Sequence, residues 1–157
     1  MAGAVRTVLF LCTGNFYRSR FAEILFNHKA AEAGLAWRAT SRALAVERGD
    51  GVNFGAISAH TVRGLAARGI AAPAEDRYPQ QVSEADLAGS DLVIAVKEAE
   101  HRPLLGSRYP GWEERVEFWH VHDLDQATPE EALVEIEEAV EELVVRLAGN
   151  GIDGVGR

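Results

Sequence analysis

Cysteine is almost absent from this chain, which has one among its 157 residues, Cys12. A single thiol cannot form an internal disulfide, so the composition favours a reducing compartment and leaves a free thiol to explain. Basic residues are also scarce, with 16 Lys and Arg against 24 Asp and Glu and a formal net charge of −8. Because nucleic-acid binding depends on neutralising phosphates with Lys and Arg, no nucleic-acid partner is expected.

Long apolar runs are missing as well. The longest, such as residues 8–11, are far shorter than the roughly 20 residues that a membrane-spanning helix needs. The first residues contain only Arg6 as a positive charge and no apolar stretch before a small-residue cleavage site, so no secretory signal is predicted. We therefore expect a cytoplasmic protein without a membrane partner.

Apolar and helical patterns alternate along the chain. Residues 5–11 and 91–96 are nearly all apolar, which is typical of strands buried on both faces, and weaker strands are predicted at 35–43 and 116–121. Helices are predicted at 20–33, 59–68, 84–89, 97–105 and 129–148. The alternation predicts an α/β fold, a single three-layer domain over residues 1–149 with a parallel sheet between helices, followed by a frayed Gly-rich tail at 150–157.

Two loops of this fold are candidate sites before any motif is considered. In open parallel sheets, ligands bind beyond the carboxyl ends of the strands. The loops that follow the first and last predicted strands are residues 12–19 and 122–128. A net-negative protein that binds an anion must also build a local positive site from backbone amides and a few cations.

The first loop has a Cys-x5-Arg-Ser pattern between a strand and a helix. A cysteine attacks phosphorus as its thiolate, and helix N-termini and cations favour that form. Arg18 can hold two phosphate oxygens with its guanidinium, and Ser19 can donate a hydrogen bond to the sulfur. Gly14 and Asn15 suit the positive φ of a tight anion cradle. A lone cysteine at a strand end is more often a small buried apolar residue, but the combined spacing favours phosphate chemistry.

The sequence from Val8 to Ser19 resembles the signature of the low-molecular-weight protein-tyrosine-phosphatase family. Weaker similarity extends over 41–43, 65–70 and 90–94. The resemblance implies a four-stranded parallel sheet, no metal and no cofactor. It also implies hydrolysis of phosphomonoesters, most of all of the phosphotyrosine type, through a cysteinyl-phosphate intermediate. The partner would be a phosphorylated protein or a small phosphomonoester.

The resemblance also assigns roles to single residues. It makes Cys12 the nucleophile, Arg18 the phosphate clamp and Ser19 the stabiliser of the thiolate. It makes Asn15 a brace for the loop, with Ser41 as its partner. The phosphate-binding residues that it implies are Thr13, Gly14, Asn15, Phe16, Tyr17 and Arg18.

The second loop is expected to supply a general acid for the leaving oxygen. The family takes an Asp from this loop, and Asp123 matches by its spacing from Trp119, with Asp125 as a rival. The Pro that usually follows is replaced by Leu124, and the usual aromatic residues are missing. In the family, those aromatic residues form the wall of the pocket that binds an aryl group. Because they are missing here, the preference between aryl and alkyl phosphates stays open. Residues that could replace part of the wall are Phe16, Tyr17, Phe54 and Trp112.

A metal site, arsenate reduction and simple phosphate binding are the competing interpretations of these residues. His120 and His122 share one face of a strand, a spacing open to metals, but no third ligand is evident, so no metal is predicted. Arsenate reduction through several cysteines is excluded, because Cys12 is the only cysteine and Tyr17 stands where many relatives have a second one in the loop. A variant that uses an external small thiol is not excluded. A phosphate- or phosphoprotein-binding module without turnover is the last alternative, favoured by the altered acid loop.

Overall fold

The sheet is four-stranded, parallel and ordered β2-β1-β3-β4. The computed structural model describes residues 4–49, 55–73, 77–121 and 127–153, with side chains described as far as residue 149. The strands are β1 (Arg6–Cys12), β2 (Trp37–Ala43), β3 (Leu92–Ala95) and β4 (Glu117–Phe118). The predicted α/β fold with a four-stranded parallel sheet is therefore confirmed.

Five α-helices connect and follow these strands within the described ranges. They are α1 (Arg18–Glu32), α2 (Ala59–Ala66), α3 (Glu84–Gly89), α4 (Glu98–Arg108) and α5 (Pro129–Asp153). The side chains of Ser58, Ser83 and Thr128 cap α2, α3 and α5, because they accept hydrogen bonds from backbone N–H groups at the starts of these helices. None of the helices described is both long and apolar enough to cross a membrane.

The central strand β1 explains the apolar character of its sequence. Val8 and Phe10 pack in a core with side chains of α1, α2 and α5, whereas Leu9 and Leu11 pack in a second core with side chains of α3 and α4. Successive side chains of a strand point to opposite faces, so both faces of β1 must be apolar to fill both cores. The sheet thus lies between two helical layers.

Two predicted boundaries differ from the structure. The last strand is predicted over 116–121 but is paired only at Glu117 and Phe118, opposite Ile94 and Ala95 at the end of the short strand β3. The last helix is predicted to end at Gly149, with a frayed tail from residue 150, but α5 continues to Asp153. Glycine lowers helix propensity without removing the backbone N–H, so it does not stop a helix by itself. Residues 154–157 lie outside the described part of the chain.

The fold places one loop at the carboxyl end of its central strand. Cys12 is the last residue of β1 and Arg18 is the first residue of α1, so residues 13–17 connect them. We call residues 12–18 the strand-helix loop. Cys12 is in register with Ala43 at the end of β2, and the chain leaves β3 into α4 on the other side. The loop therefore lies beside the end of β2 on one side and the start of α4 on the other.

Candidate functional site

The sulfur of Cys12 has two hydrogen-bond partners. Cys12 is buried, with 3% of its surface exposed. Its Sγ lies 3.0 Å from Ser19 Oγ, and the backbone N–H of Asn15 donates to Sγ at 3.3 Å. A hydroxyl and an amide that both face one sulfur stabilise negative charge on it. The structure thus brings together the cysteine and the serine that the sequence singled out.

Asn15 uses every hydrogen-bonding position of its side-chain amide. Its Nδ2 donates to Ser19 Oγ and to Ser41 Oγ, both at 2.9 Å. Its Oδ1 accepts from Arg77 Nη1 at 2.8 Å and from the backbone N–H of Gln80 at 3.2 Å. Because Ser19 Oγ accepts from the amide, the serine hydroxyl can direct its own proton to the sulfur. The contact with Ser41 that the resemblance implied is present.

The backbone of Asn15 has the positive φ that the sequence predicted, at 55°. Asparagine tolerates this left-handed conformation better than most residues with a side chain. The prediction of a positive φ for Gly14 was wrong, since the described glycines with positive φ are Gly34, Gly55, Gly69 and Gly111. The loop therefore makes its tight bend at the residue that is also its hydrogen-bonding centre.

Arg77 is a residue of this site that the sequence analysis missed. Besides Asn15, it binds the backbone oxygen of Ser41 at 2.7 Å and the Ser41 hydroxyl at 3.0 Å, both through Nη2. The Ser41 hydroxyl in turn donates to Glu23 Oε1 at 2.6 Å. Arg77 lies in an irregular segment, so no periodic pattern could have revealed these contacts. A cation thus supports the loop through Asn15 and Ser41.

The carbonyl groups of the strand-helix loop are bonded to the segments around it. The pairs are Cys12 O with Leu44 N at 2.9 Å, Thr13 O with Ala45 N at 3.0 Å, Phe16 O with Ser58 N at 2.9 Å and Tyr17 O with Thr61 Oγ1 at 3.0 Å. In a trans peptide, the N–H of the next residue points away from the C=O. The amides of residues 13, 14, 17 and 18 therefore point away from these neighbours.

Arg18 is buried and makes an ion pair that the sequence did not predict. Its Nη1 and Nη2 donate to the two carboxylate oxygens of Glu100 at 3.2 and 2.9 Å, and 2% of Arg18 is exposed. Nη1 also donates to the backbone oxygen of Val121 at 3.2 Å. The carboxylate of Glu100 accepts the hydroxyl proton of Thr13 and lies 3.2 Å from His101 Nε2. The first turn of α4 is thus joined to the strand-helix loop.

Glu100 is ionised in this environment. Burial alone would raise the pKa of Glu100, but the hydrogen bonds from His101 and Arg18, together with the charge of Arg18, lower it well below its ordinary value. No local pattern marks Glu100 or His101, because they lie more than 80 residues from Thr13 and Arg18 in sequence. Only the tertiary structure could bring them to the site.

The aromatic residues that were considered for the wall of the substrate pocket lie in different parts of the structure. Tyr17 is buried in the core beside α1 and α5, and its hydroxyl donates to Pro129 O at 3.5 Å. Trp112 is buried in the opposite core, where Arg115 stacks 3.9 Å from its ring centre, so it is a packing residue. Phe16 is partly buried, and Phe54 lies outside the described residues.

Only the last two residues of the predicted acid loop, 127 and 128, are described. Asp123 and Asp125 lie outside the described residues, as does His122, so their roles remain predictions. Before this gap, the backbone N–H of buried Val121 donates to Val96 O at 2.8 Å. Within the described ranges, no three His, Cys, Asp or Glu side chains group so that they could hold a metal, and His120 is exposed.

Comparison with known proteins identifies relatives of this chain. The low molecular weight protein tyrosine phosphatase from T. tengcongensis is 27% identical, with a TM-score of 0.75 over 90% of this chain and 99% of that chain. YfkJ from Bacillus subtilis is 27% identical, with a TM-score of 0.76 over 94% and 98% of the two chains. YwlE from Bacillus subtilis, described as an arginine phosphatase, is 22% identical, with a TM-score of 0.74 over 91% and 99%, and shows the same fold. A search of curated protein sequences finds no match.

The sequence model of one family covers most of the chain. The family is the low molecular weight phosphotyrosine protein phosphatase family, and its model matches residues 7–151. The match includes all but the first residue of β1, the strand-helix loop with its buried cysteine, and the other three strands. This chain therefore belongs to the low molecular weight phosphotyrosine protein phosphatase family and is a cysteine-dependent phosphatase.

Proposed function

We propose that this phosphatase hydrolyses phosphomonoesters in two steps, with aryl phosphates of the phosphotyrosine type as its substrate class. In the first step, the Cys12 thiolate attacks phosphorus, and the P–O bond to the leaving group breaks as Asp123 gives a proton to the leaving oxygen. In the second step, Asp123 takes a proton from water, whose oxygen attacks phosphorus, and the S–P bond breaks. Inorganic phosphate then leaves and the thiolate is regenerated.

The two hydrogen-bond partners of the sulfur, a hydroxyl and an amide that can both donate to a thiolate, are the observation that carries this proposal. Ser19 Oγ and the N–H of Asn15 both lie within 3.3 Å of Cys12 Sγ, and a phosphate-binding loop that needed no nucleophile would gain nothing from them. In the second step, Ser19 also eases departure of the sulfur by stabilising its charge.

The orientation of the loop supports phosphate binding next to this sulfur. Four loop carbonyls are hydrogen-bonded to the surrounding segments. Because C=O and N–H point in opposite directions in a trans peptide, the N–H groups of residues 13, 14, 17 and 18 point away from those segments. Successive amides with this orientation form an anion-binding nest, and the start of α1 adds its dipole. In the proposal, Arg18 completes the nest as the clamp that follows the phosphate oxygens into the transition state.

The described end of the second loop supports Asp123 as the acid. Val121 accepts a hydrogen bond from Arg18 through its backbone oxygen at 3.2 Å, so this end of the loop starts at the proposed clamp. Asp123 follows two residues later, and two residues span at most about 7 Å of chain. Asp125 is two residues more distant along the chain and is the matched alternative.

Turnover of an aryl phosphate such as 4-nitrophenyl phosphate, in buffer with a metal chelator, tests the proposal. We expect Cys12→Ser to abolish turnover while phosphate and vanadate still bind, and Asp123→Asn to slow turnover by about 10²–10⁴. Asp125→Asn serves as the control and should leave the rate near that of the unmodified enzyme. A large loss in Asp125→Asn instead would move the acid to Asp125.

The choice of substrate needs separate arms of the same experiment. Phosphotyrosine, phosphoserine and phosphoarginine peptides are compared at equal concentration, and arsenate is offered together with an external small thiol. The proposal predicts the highest kcat/KM for phosphotyrosine. Phosphopeptide binding without turnover in the unmodified chain would instead identify a binding module, and it would refute the proposed reaction.

A further inference from the structure

Glu100 is the carboxylate nearest to the proposed clamp among the described residues. Both of its oxygens accept hydrogen bonds from the Arg18 guanidinium, at 3.2 and 2.9 Å. We propose that Glu100 is a positioning residue of the phosphatase reaction, which sets the plane of the Arg18 guanidinium before the substrate binds. This inference rests on the proposed function, in which Arg18 binds the transferred phosphoryl group.

The geometry of the pair suits this role. Arg18 engages Glu100 through both terminal nitrogens, so the two groups are held in one plane, and Val121 O adds a third acceptor. A guanidinium has five N–H donors in a rigid fork and can bind one oxyanion at its Nη1–Nη2 end and another at its Nε–Nη2 edge. A carboxylate at the first position can therefore orient the second position for a phosphate without displacing it.

The carboxylate of Glu100 is itself held from two sides. Thr13 in the strand-helix loop donates its hydroxyl proton to Oε2. His101 is fully buried, and its Nδ1 accepts the backbone N–H of Lys97 at 3.1 Å. The proton of the neutral imidazole ring therefore lies on Nε2, which is 3.2 Å from both Glu100 Oε2 and Thr13 Oγ1. The carboxylate is thus fixed relative to the loop, and Arg18 is fixed relative to the carboxylate.

A helix-stabilising role and a competing role for Glu100 lead to different expectations. As an acidic residue in the first turn of α4, Glu100 stabilises the helix through the dipole. Glu98 lies in the same turn and pairs with Arg102 at 2.9 Å, so it offers a matched control for that effect. If Glu100 instead competes with the substrate for Arg18, its removal would strengthen phosphate binding.

The experiment compares Glu100→Gln, Glu100→Ala and Glu100→Asp with the control Glu98→Gln. For the Gln and Ala variants, we expect kcat on 4-nitrophenyl phosphate to fall by about 10- to 100-fold with KM little changed, because a misplaced clamp loses contacts made in the transition state. Glu100→Asp should recover part of the rate, and Glu98→Gln should keep it. In an Arg18→Ala background, Glu100→Gln should cause little further loss, because it acts through Arg18.

Binding measurements without turnover provide a second readout. Vanadate on a thiolate adopts the five-coordinate geometry of the transition state, whereas phosphate reports the ground state. Calorimetry should show that Glu100→Gln weakens vanadate binding relative to phosphate binding, by a factor similar to the loss in kcat. If the unmodified chain binds both anions but turns over no substrate, the proposed function fails, and this ratio still tests the role of Glu100.

Three results would overturn the inference. The first is an unchanged kcat and an unchanged vanadate-to-phosphate ratio with a lower melting temperature, which would leave Glu100 a purely structural role. The second is tighter phosphate binding with an equal or higher kcat, which would identify competition. The third is an equal loss in Glu98→Gln, which would assign the effect to the start of α4. Because Glu100→Gln and Glu100→Asp are close in size to Glu, they decide the matter even if Glu100→Ala does not fold.

Discussion

Asn15→Asp replaces one amide nitrogen by an oxygen at the centre of the site, and we expect it to slow turnover while the loop keeps its shape. Aspartate has the shape of asparagine and also tolerates the left-handed conformation that residue 15 adopts, with φ at 55°. The Nδ2 position faces Ser19 Oγ and Ser41 Oγ at 2.9 Å each. A carboxylate oxygen there can only accept, so Ser19 turns its hydroxyl proton to the new carboxylate and away from the sulfur of Cys12.

The size of the effect follows from the hydrogen bond that is lost. Ser19 Oγ lies 3.0 Å from Cys12 Sγ, and a hydrogen bond to a charged group contributes about 1.5–3 kcal/mol. Each 1.36 kcal/mol corresponds to a factor of ten in rate, so we expect kcat/KM to fall by about 10- to 150-fold. Arg77 Nη1 lies 2.8 Å from the Oδ1 position and offsets part of the new charge, which favours the lower end of this range.

The assay is steady-state hydrolysis of an aryl phosphate by Asn15→Asp, Ser19→Ala and the double variant. If Asn15 acts on the sulfur through Ser19, the double variant should be no slower than Ser19→Ala alone. Asn27→Asp is the control, because Asn27 also uses both ends of its amide, to the backbone oxygen and N–H of Ala39 at 3.1 and 2.8 Å, but has no recorded contact with Ser19 or the sulfur. Losses that multiply in the double variant, or an unchanged kcat/KM in Asn15→Asp, would refute the reasoning.

Two further predictions concern stability. Arg77→Met removes one of the two donors to Asn15 Oδ1 and leaves only the Gln80 N–H. The free energy of unfolding, measured in urea, should therefore fall by about 1–3 kcal/mol, and kcat/KM should fall as well. A free energy of unfolding equal to that of the unmodified chain would contradict this. The pKa of Glu100 is lower in the folded chain than in the unfolded chain, so on acidification the unfolded chain takes up the Glu100 proton first. The stability that ionised Glu100 contributes is therefore complete above about pH 4.3, its ordinary pKa, and is lost as the pH falls further. Melting temperatures of Glu100→Gln should therefore depend less on pH in that acidic range than those of the unmodified chain, and equal slopes would count against the ion pair.

The fold was readable from the sequence where one local pattern determines one element. The apolar run that includes Val8 to Leu11 predicted a strand with both faces buried, and the helix predicted from residue 129 begins at Pro129 as α5. The shortness of β4 could not be predicted, because the pairing of an edge strand depends on how far its neighbour β3 extends. Continuation of α5 beyond Gly149 likewise depends on backbone hydrogen bonds that a stop signal in the sequence does not remove.

The site was readable only along the strand-helix loop. Cys12, Asn15 and Ser19 lie within eight residues, so their spacing carried the information, and Ser41 entered through the family resemblance. The contacts of Arg77 with Asn15 and of Glu100 with Arg18 cross 62 and 82 residues of sequence. An arginine in an irregular segment and a glutamate in a first helical turn are common features, and nothing in their surroundings marks them before the chain folds.

The loop is held by two separate sets of contacts, one on each side of Gly14. On the β2 side, Asn15 is bonded to Ser41, whereas on the β3 side Thr13 is bonded to Glu100 in α4. The four residues of these contacts all lie before the second loop in sequence, in which Leu124 replaces the usual proline. We therefore propose that the departures of the second loop from the family pattern alter substrate preference rather than the attack by Cys12, whose described hydrogen-bond partners are Ser19 and Asn15.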